Sequence, residues 1–331
     1  MDRIPLHRSR SLVAIIGLCV GLCAVPARAD ETAPNAEALK RQAGAFQDSK
    51  EEADALAVLL KLHWQTDPDA ALRYAQEGLQ IAERLRYDRG RAANLNAVGI
   101  VYYLRGDFER AQPLLEEALV LHQSTGNLKS AGRVAANIGH LHAAVSRHAE
   151  ALARYEQAAA LGEKAGDDAG MATAKDGVGN VLQVQGRYRE AIAAFEESLR
   201  WADRAGDAQS RAITLNNLAN TQSEAGDGAA ALKGYLAAAE AFERLDLPLY
   251  QALAYSNVAP ILMAQGMSDQ ARTWLERALA IQRKAGSRPA EANTLLNLGT
   301  LLNDTGKTPE AIVAYEAARG IYRDVGDRKG E

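Results

Sequence analysis

Cysteine, aromatic residues and charge of one dominant sign are all scarce in this 331-residue chain, and each shortage narrows what it can be. The two cysteines, Cys19 and Cys23, lie inside an N-terminal apolar run, so the rest of the chain offers no disulfide, thiolate metal site or thiol nucleophile. Phe, Trp and Tyr supply 5% of residues. A core of this size must therefore be built from small aliphatic side chains, as in close-packed, alanine-rich helices. A net charge of -4 lacks the basic excess of a nucleic-acid or anionic-membrane surface. Also missing are G-x-S-x-G, H-E-x-x-H and a P-loop, leaving no catalytic constellation. The histidines nearest each other are His140, His142 and His148. Two residues apart on a helix, His140 and His142 point to different faces, and His148 follows a turn, so a shared metal is not expected. His142 and His148 read as packing residues. The expectation is a non-enzyme with no cofactor and no metal.

Residues 1–29 have the layout of a secretory signal peptide. Arg3, Arg8 and Arg10 precede an apolar run from Leu12 to Val25; Pro26 ends it, and Ala27-Arg28-Ala29 provides small residues for cleavage after Ala29. That run is shorter than the roughly 20 residues a membrane-spanning helix needs. A lipid anchor is not expected, because Leu precedes each cysteine. The protein is expected in the periplasm or outside the cell, with an uncleaved N-terminal membrane anchor as the alternative. Residues 30–50, polar and Ala-rich, read as a leader.

What the chain does have is a 40-residue period. Ala292, Asn297, Gly299, Gly306, Ala311 and Ala318 repeat as Ala252, Asn257, Ala259, Gly266, Ala271 and Ala278, and again as Ala212, Asn217, Ala219, Gly226, Ala231 and Ala238. Fixed-period self-similarity marks a stacked array in which each unit packs on its neighbours. Each period carries two stretches of i, i+3, i+4 apolar spacing, divided at positions such as Gly106-Asp107 and closed at Gly126, Gly166, Gly206, Gly286 and Gly326. The spacing predicts repeats near 51–90, 91–130, 131–170, 171–210, 211–250, 251–290 and 291–330. The mid-helix glycines Gly99, Gly139, Gly179 and Gly299 are expected to face Ala111, Ala151, Ala191 and Ala311. Ser146, Asp246 and Pro260 are expected to weaken the array, with a kink at Pro260 and similarly at Pro113.

The motif N-L-G-x-x-x-x-x-x-G-x-x-x-x-A-x-x-x-Y-E-x-A, carried by Leu298, Gly299, Leu302, Ala311, Tyr315 and Ala318, resembles the tetratricopeptide repeat (TPR). The period departs from the usual 34 residues and is similar to that of kinesin light chains and bacterial sensory TPR arrays. The resemblance covers residues 51–330. It implies an all-α, right-handed superhelical solenoid of about seven antiparallel helix pairs.

The same resemblance places the first helix of each pair on a concave binding face. The side chains at those offsets are Arg133, Asn137 and His140; Asp176, Asn180 and Gln183; Asn216, Asn217, Asn220 and Ser223; Ser256 and Asn257; Asn293, Asn297, Thr300 and Asn303. Amides dominate, and an amide can meet both N–H and C=O of an extended peptide. For the recurrent Asn137, Asn217, Asn257 and Asn297, ligand contact and helix-to-helix bonding are both open. Asn180, Asn216, Asn220, Ser223 and Asn303 favour ligand contact. The expected partner is a protein or peptide, not a nucleic acid. An alternative is the sensory module of a split membrane signalling protein of the histidine kinase or diguanylate cyclase type. Beyond Gly326 no capping helix is recognisable, so Ile312, Tyr315, Ile321 and Tyr322 are expected to be partly exposed and available for self-association.

Overall fold

Asp and Asn at helix starts, and a left-handed residue at helix ends, set the punctuation of the chain. In a computed structural model, which describes residues 48–63 and 67–326, every described element is helical. They are α1 (Lys50–His63), α2 (Pro68–Arg84), α3 (Asp88–Leu104), α4 (Phe108–Ser124), α5 (Leu128–Ala144), α6 (His148–Ala165), α7 (Asp168–Val184), α8 (Tyr188–Ala205), α9 (Ala208–Glu224), α10 (Gly228–Arg244), α11 (Pro248–Ala264), α12 (Ser268–Lys284), α13 (Arg288–Asp304) and α14 (Thr308–Val325). The 40-residue period thus corresponds to consecutive helix pairs, seven among the described residues. The signal peptide, almost all of the leader, and residues 327–331 lie outside the described residues. No helix among the described residues is long and apolar enough to cross a membrane.

Capping explains the starts. Asp67, Asp107, Asn127 and Asp227 accept the backbone N–H three residues on, at 2.8, 3.2, 3.3 and 3.0 Å. Pro68, Pro248 and Pro309 sit in first turns, where no N–H is required. Leu247-Pro248 is therefore a helix entry, preceded by Asp246 just past the end of α10. Between helices the chain needs one residue at positive φ. Gly106 takes it at 75°, and the Asp107 and Gly106 N–H groups bond back to Tyr102 and Tyr103 carbonyls at 2.9 Å. Arg86, Ser146 and Asp246 adopt the same conformation at 50°, 60° and 54° without being glycine. Both α4 and α11 continue past their internal prolines, Pro113 and Pro260.

Two compact units divide the chain, one ending at Ser210 and the other beginning at Arg211. In the first, Leu115, Ala131, Ile138, Leu141, Ala151 and Tyr155 belong to one buried core. In the second, Ala219, Tyr235, Val258, Leu275 and Leu301 do the same. Within the first unit α1 packs on α3 and α5 on α7; within the second α11 packs on α13. Within each unit, neighbouring first helices thus lie side by side.

Two expectations change. The mid-helix glycines do not chiefly face the alanines; they face the large residue four positions beyond. A Cβ on Gly99 would lie 2.8 Å from Leu115 Cγ, on Gly139 2.7 Å from Tyr155 Cε1, on Gly179 2.7 Å from Phe195 Cε1 and on Gly299 2.5 Å from Tyr315 Cε1. The alanines are buried beside those contacts. At the other end, Ile321 and Tyr322 are buried with Leu279, Ala292 and Leu295, while Ile312 and Val313 of α14 are exposed.

Candidate functional site

The residues on the first helices fall into three groups. Bridges between neighbouring helices form the first. Asn137 Nδ2 of α5 donates to Asn96 Oδ1 of α3 at 3.1 Å, and Asn257 Nδ2 of α11 donates to Asn220 Oδ1 of α9 at 3.3 Å. Asn220 Oδ1 also accepts the Tyr235 hydroxyl at 2.6 Å, and Asn293 Oδ1 accepts that of Tyr322 at 2.6 Å. Ser256 is buried and bonds to the Ala252 carbonyl at 3.0 Å and the Thr294 hydroxyl at 2.9 Å, so it joins α11 to α13 rather than facing a ligand. Thr300 bonds to the Leu296 carbonyl and accepts the Tyr315 hydroxyl at 3.3 Å.

A second group is exposed at helix ends and edges: Arg133, Ser223 and Asn303. Asn297 is half-buried on α13.

The third group is buried or, at Asn180, half-buried, and His140, Asn180, Gln183 and Asn216 each leave a buried polar atom unbonded. His140 has its Nδ1 2.8 Å from the Tyr155 hydroxyl, while Nε2 has no partner. Burial lowers its pKa from 6.5 to about 4, keeping the ring neutral, and pushes the Tyr155 hydroxyl well above its ordinary value. On α7, Asn180 Nδ2 donates to the buried Asp176 carboxylate at 2.8 Å, and Asn180 Oδ1 has no donor. Gln183 Oε1, one turn further on, also lacks a donor although the side chain is 3% exposed. On α9, the Asn216 amide is 1% exposed with neither atom bonded. Asn217 beside it is equally buried.

Sequence reading overlooked the tyrosines. Tyr155, Tyr235 and Tyr315 each stand 15 residues after His140, Asn220 and Thr300, and their hydroxyls cross from the second helix to the first. The recurring offset was the available signal. Asn94 was overlooked as well: buried on α3, it donates to the carbonyls of Ala53 at 3.1 Å and Gly90 at 3.0 Å, which secures α3 to α1.

Chemically, the residues of this third group present amides, the buried Asp176 carboxylate and the neutral His140 imidazole. Such groups recognise polar backbone and side chains. Among the described residues no cluster of three potential metal ligands occurs.

A family model described as tetratricopeptide repeat matches residues 52–124, 170–244 and 250–324. No curated protein sequence matches the chain. Among solved structures, the apo form of RapI is 12% identical with a TM-score of 0.63, the alignment covering 83% of this chain and 99% of RapI. A Rap protein complexed with competence and sporulation factor is 13% identical with a TM-score of 0.58, covering 89% and 98%. The apo quorum sensor NprR from B. thuringiensis is 14% identical with a TM-score of 0.56, covering 86% and 91%. At these identities the similarity is one of fold.

Proposed function

Because the chain belongs to the tetratricopeptide repeat family, we propose that it is a non-catalytic scaffold that binds an extended peptide or protein segment along its first helices. The observation that carries this reading is the set of buried amide carbonyls on α7, Asn180 and Gln183, that the protein itself leaves unbonded. Buried polar groups are normally paired. A ligand that pairs them recovers what folding forgoes. The amides of α11 and α13, Asn257, Asn293 and Asn297, form a second stretch of the same chemistry within the other unit. One structural neighbour was solved as a complex with competence and sporulation factor, which supports a partner-binding reading of the fold.

The test is selection of a random-peptide display library on the purified protein. Recurrent sequences should emerge whose binding is weakened by Asn180→Leu on α7 and unaffected by Val120→Asp on the exposed side of α4. Recovery of no recurrent sequence, or binding lost only in the α4 variant, would contradict the proposal.

Export is part of the same proposal, supported by the layout of residues 1–29. N-terminal sequencing of the protein from a periplasmic fraction should begin at Asp30. A cytoplasmic protein that retains Met1 would contradict it.

A further inference from the structure

One register joins the two helices of each pair, linking a first-helix residue to the second-helix residue 15 positions on, and it contains a single mismatch. Apolar stands with apolar in Ile100 and Leu115 and in Pro260 and Leu275. A polar group meets a tyrosine hydroxyl in His140 and Tyr155 at 2.8 Å, Asn220 and Tyr235 at 2.6 Å, and Thr300 and Tyr315 at 3.3 Å. Asn180 stands with Phe195, which has no hydroxyl. Asp176 fixes the orientation of the Asn180 amide. Its carboxylate accepts Nδ2 at 2.8 Å, so Oδ1 is the atom turned away, and it is buried without a donor. Gln183 repeats the defect one turn on. A single hydroxyl on residue 195 would repair the first of these, yet the chain lacks it. Departures from an otherwise consistent local rule tend to fall at functional sites.

We infer that Asp176, Asn180 and Gln183 form an anchor site for a basic side chain, the ammonium of a lysine or the guanidinium of an arginine, in the bound peptide. The inference rests on the groove reading above and names the chemistry of one of its contacts. Residues 176, 180 and 183 follow i, i+4, i+7 spacing and share one face of α7. A peptide N–H carries one donor and cannot meet two carbonyls a turn apart. An ammonium carries three and a guanidinium five, so either meets both while lying beside the carboxylate. Both carbonyl oxygens are buried in the free protein. Engagement therefore requires the two side chains to rotate toward the ligand while the helix stays in place.

The experiment uses peptides recovered by display on the wild-type protein, each synthesised with its basic residue and with norleucine in that place. Fluorescence anisotropy should show the norleucine form binding the wild type about tenfold or more weakly, the loss expected for a charge-assisted hydrogen bond. Phe195→Tyr supplies the missing hydroxyl, occupies Asn180 Oδ1 and should melt no lower than the wild type, yet bind both peptides alike. Gln183→Leu, which replaces a side chain whose buried carbonyl is unbonded by an apolar one, should fold and shrink the same preference; it keeps the test open if residue 195 will not accept tyrosine. Recovered peptides without a fixed basic position, or an unchanged preference in the folded variants, would overturn the inference and leave groove binding intact. Recovery of no peptide would overturn both.

Discussion

Gly177 stands where neighbouring repeats carry asparagine because the ring of Tyr155 fills the space: a Cβ on Gly177 would overlap Tyr155 Cε1. Tyr155 is also pressed against Gly139, so one ring is held between the glycines of two successive first helices. The surroundings are fully buried and close-packed. Gly177→Ala should therefore destabilise the protein by about 1–3 kcal/mol through overpacking. Gly320 of α14 has open space on the side where a methyl group would project, with nothing within 4 Å. Gly320→Ala should stabilise by about 0.5–1 kcal/mol, the helix-propensity gain. Urea unfolding of the two variants checks the contrast, and equal effects would refute it.

Asn180 and Asn220 occupy the same place in successive repeats but are bonded differently. Asn220 Oδ1 accepts from both Tyr235 and Asn257, whereas Asn180 Oδ1 accepts from nothing. Asn220→Ala should cost about 1–3 kcal/mol by stranding those donors. Asn180→Ala should cost about 1.5–3 kcal/mol by a different route, the loss of the Nδ2 bond to the buried Asp176 carboxylate. Adding Tyr235→Phe should recover part of the first loss and none of the second in thermal melts, and equal recovery in both would show that the two amides are equivalent.

The pair His140 and Tyr155 makes stability depend on pH. Burial holds the folded-state pKa of His140 near 4, below its ordinary 6.5. The unfolded chain therefore takes up the proton first, and stability is full above about pH 6.5 and falls as the pH drops toward 4. The loss is about 1.4 kcal/mol per pH unit through that window. Replacing the pair with that of the preceding repeat, His140→Ile with Tyr155→Leu, should reduce the slope of this part of the pH profile, with the buried His122, also held at about 4, supplying a remaining share. Chemical denaturation at pH 7, 6, 5 and 4 measures it. An unchanged slope in the double variant would assign the dependence to other groups.

Ser146 and Asp246 hold φ at 60° and 54° at positions where most turns of the chain carry glycine. A side chain in the left-handed region costs about 1 kcal/mol. Ser146→Gly and Asp246→Gly should each raise the melting temperature, and a fall in both would show that those side chains stabilise their turns.

The period, the helix pairs and their caps were legible because they depend on local chemistry: apolar spacing, an Asp or Asn before each helix, a glycine or its substitute after it. Gly106-Asp107 and Asn127 are examples where a short stretch decides both ends. What faces what across the pair was not legible in the same way. Gly179 looks as though it should meet Ala191, yet Phe195 reaches over that alanine to the glycine, because side-chain length decides the contact and spacing does not. The amides show the same limit. Asn137, Asn180, Asn216 and Asn220 are alike in sequence, but a tyrosine hydroxyl or a neighbouring asparagine engages two of them and leaves the others short of partners. That distinction comes from neighbouring helices, a tyrosine of the second helix for Asn220 and an asparagine of the preceding first helix for Asn137.

The central claim is that a peptide lies along the first helices. Photo-crosslinking of a display-selected peptide carrying a benzophenone residue, followed by mass spectrometry, reads the contact directly. Crosslinks are predicted within α5 and α7 (Leu128–Ala144 and Asp168–Val184) or within α11 and α13 (Pro248–Ala264 and Arg288–Asp304). Crosslinks confined to the second helices, such as α4 and α6, would contradict the account.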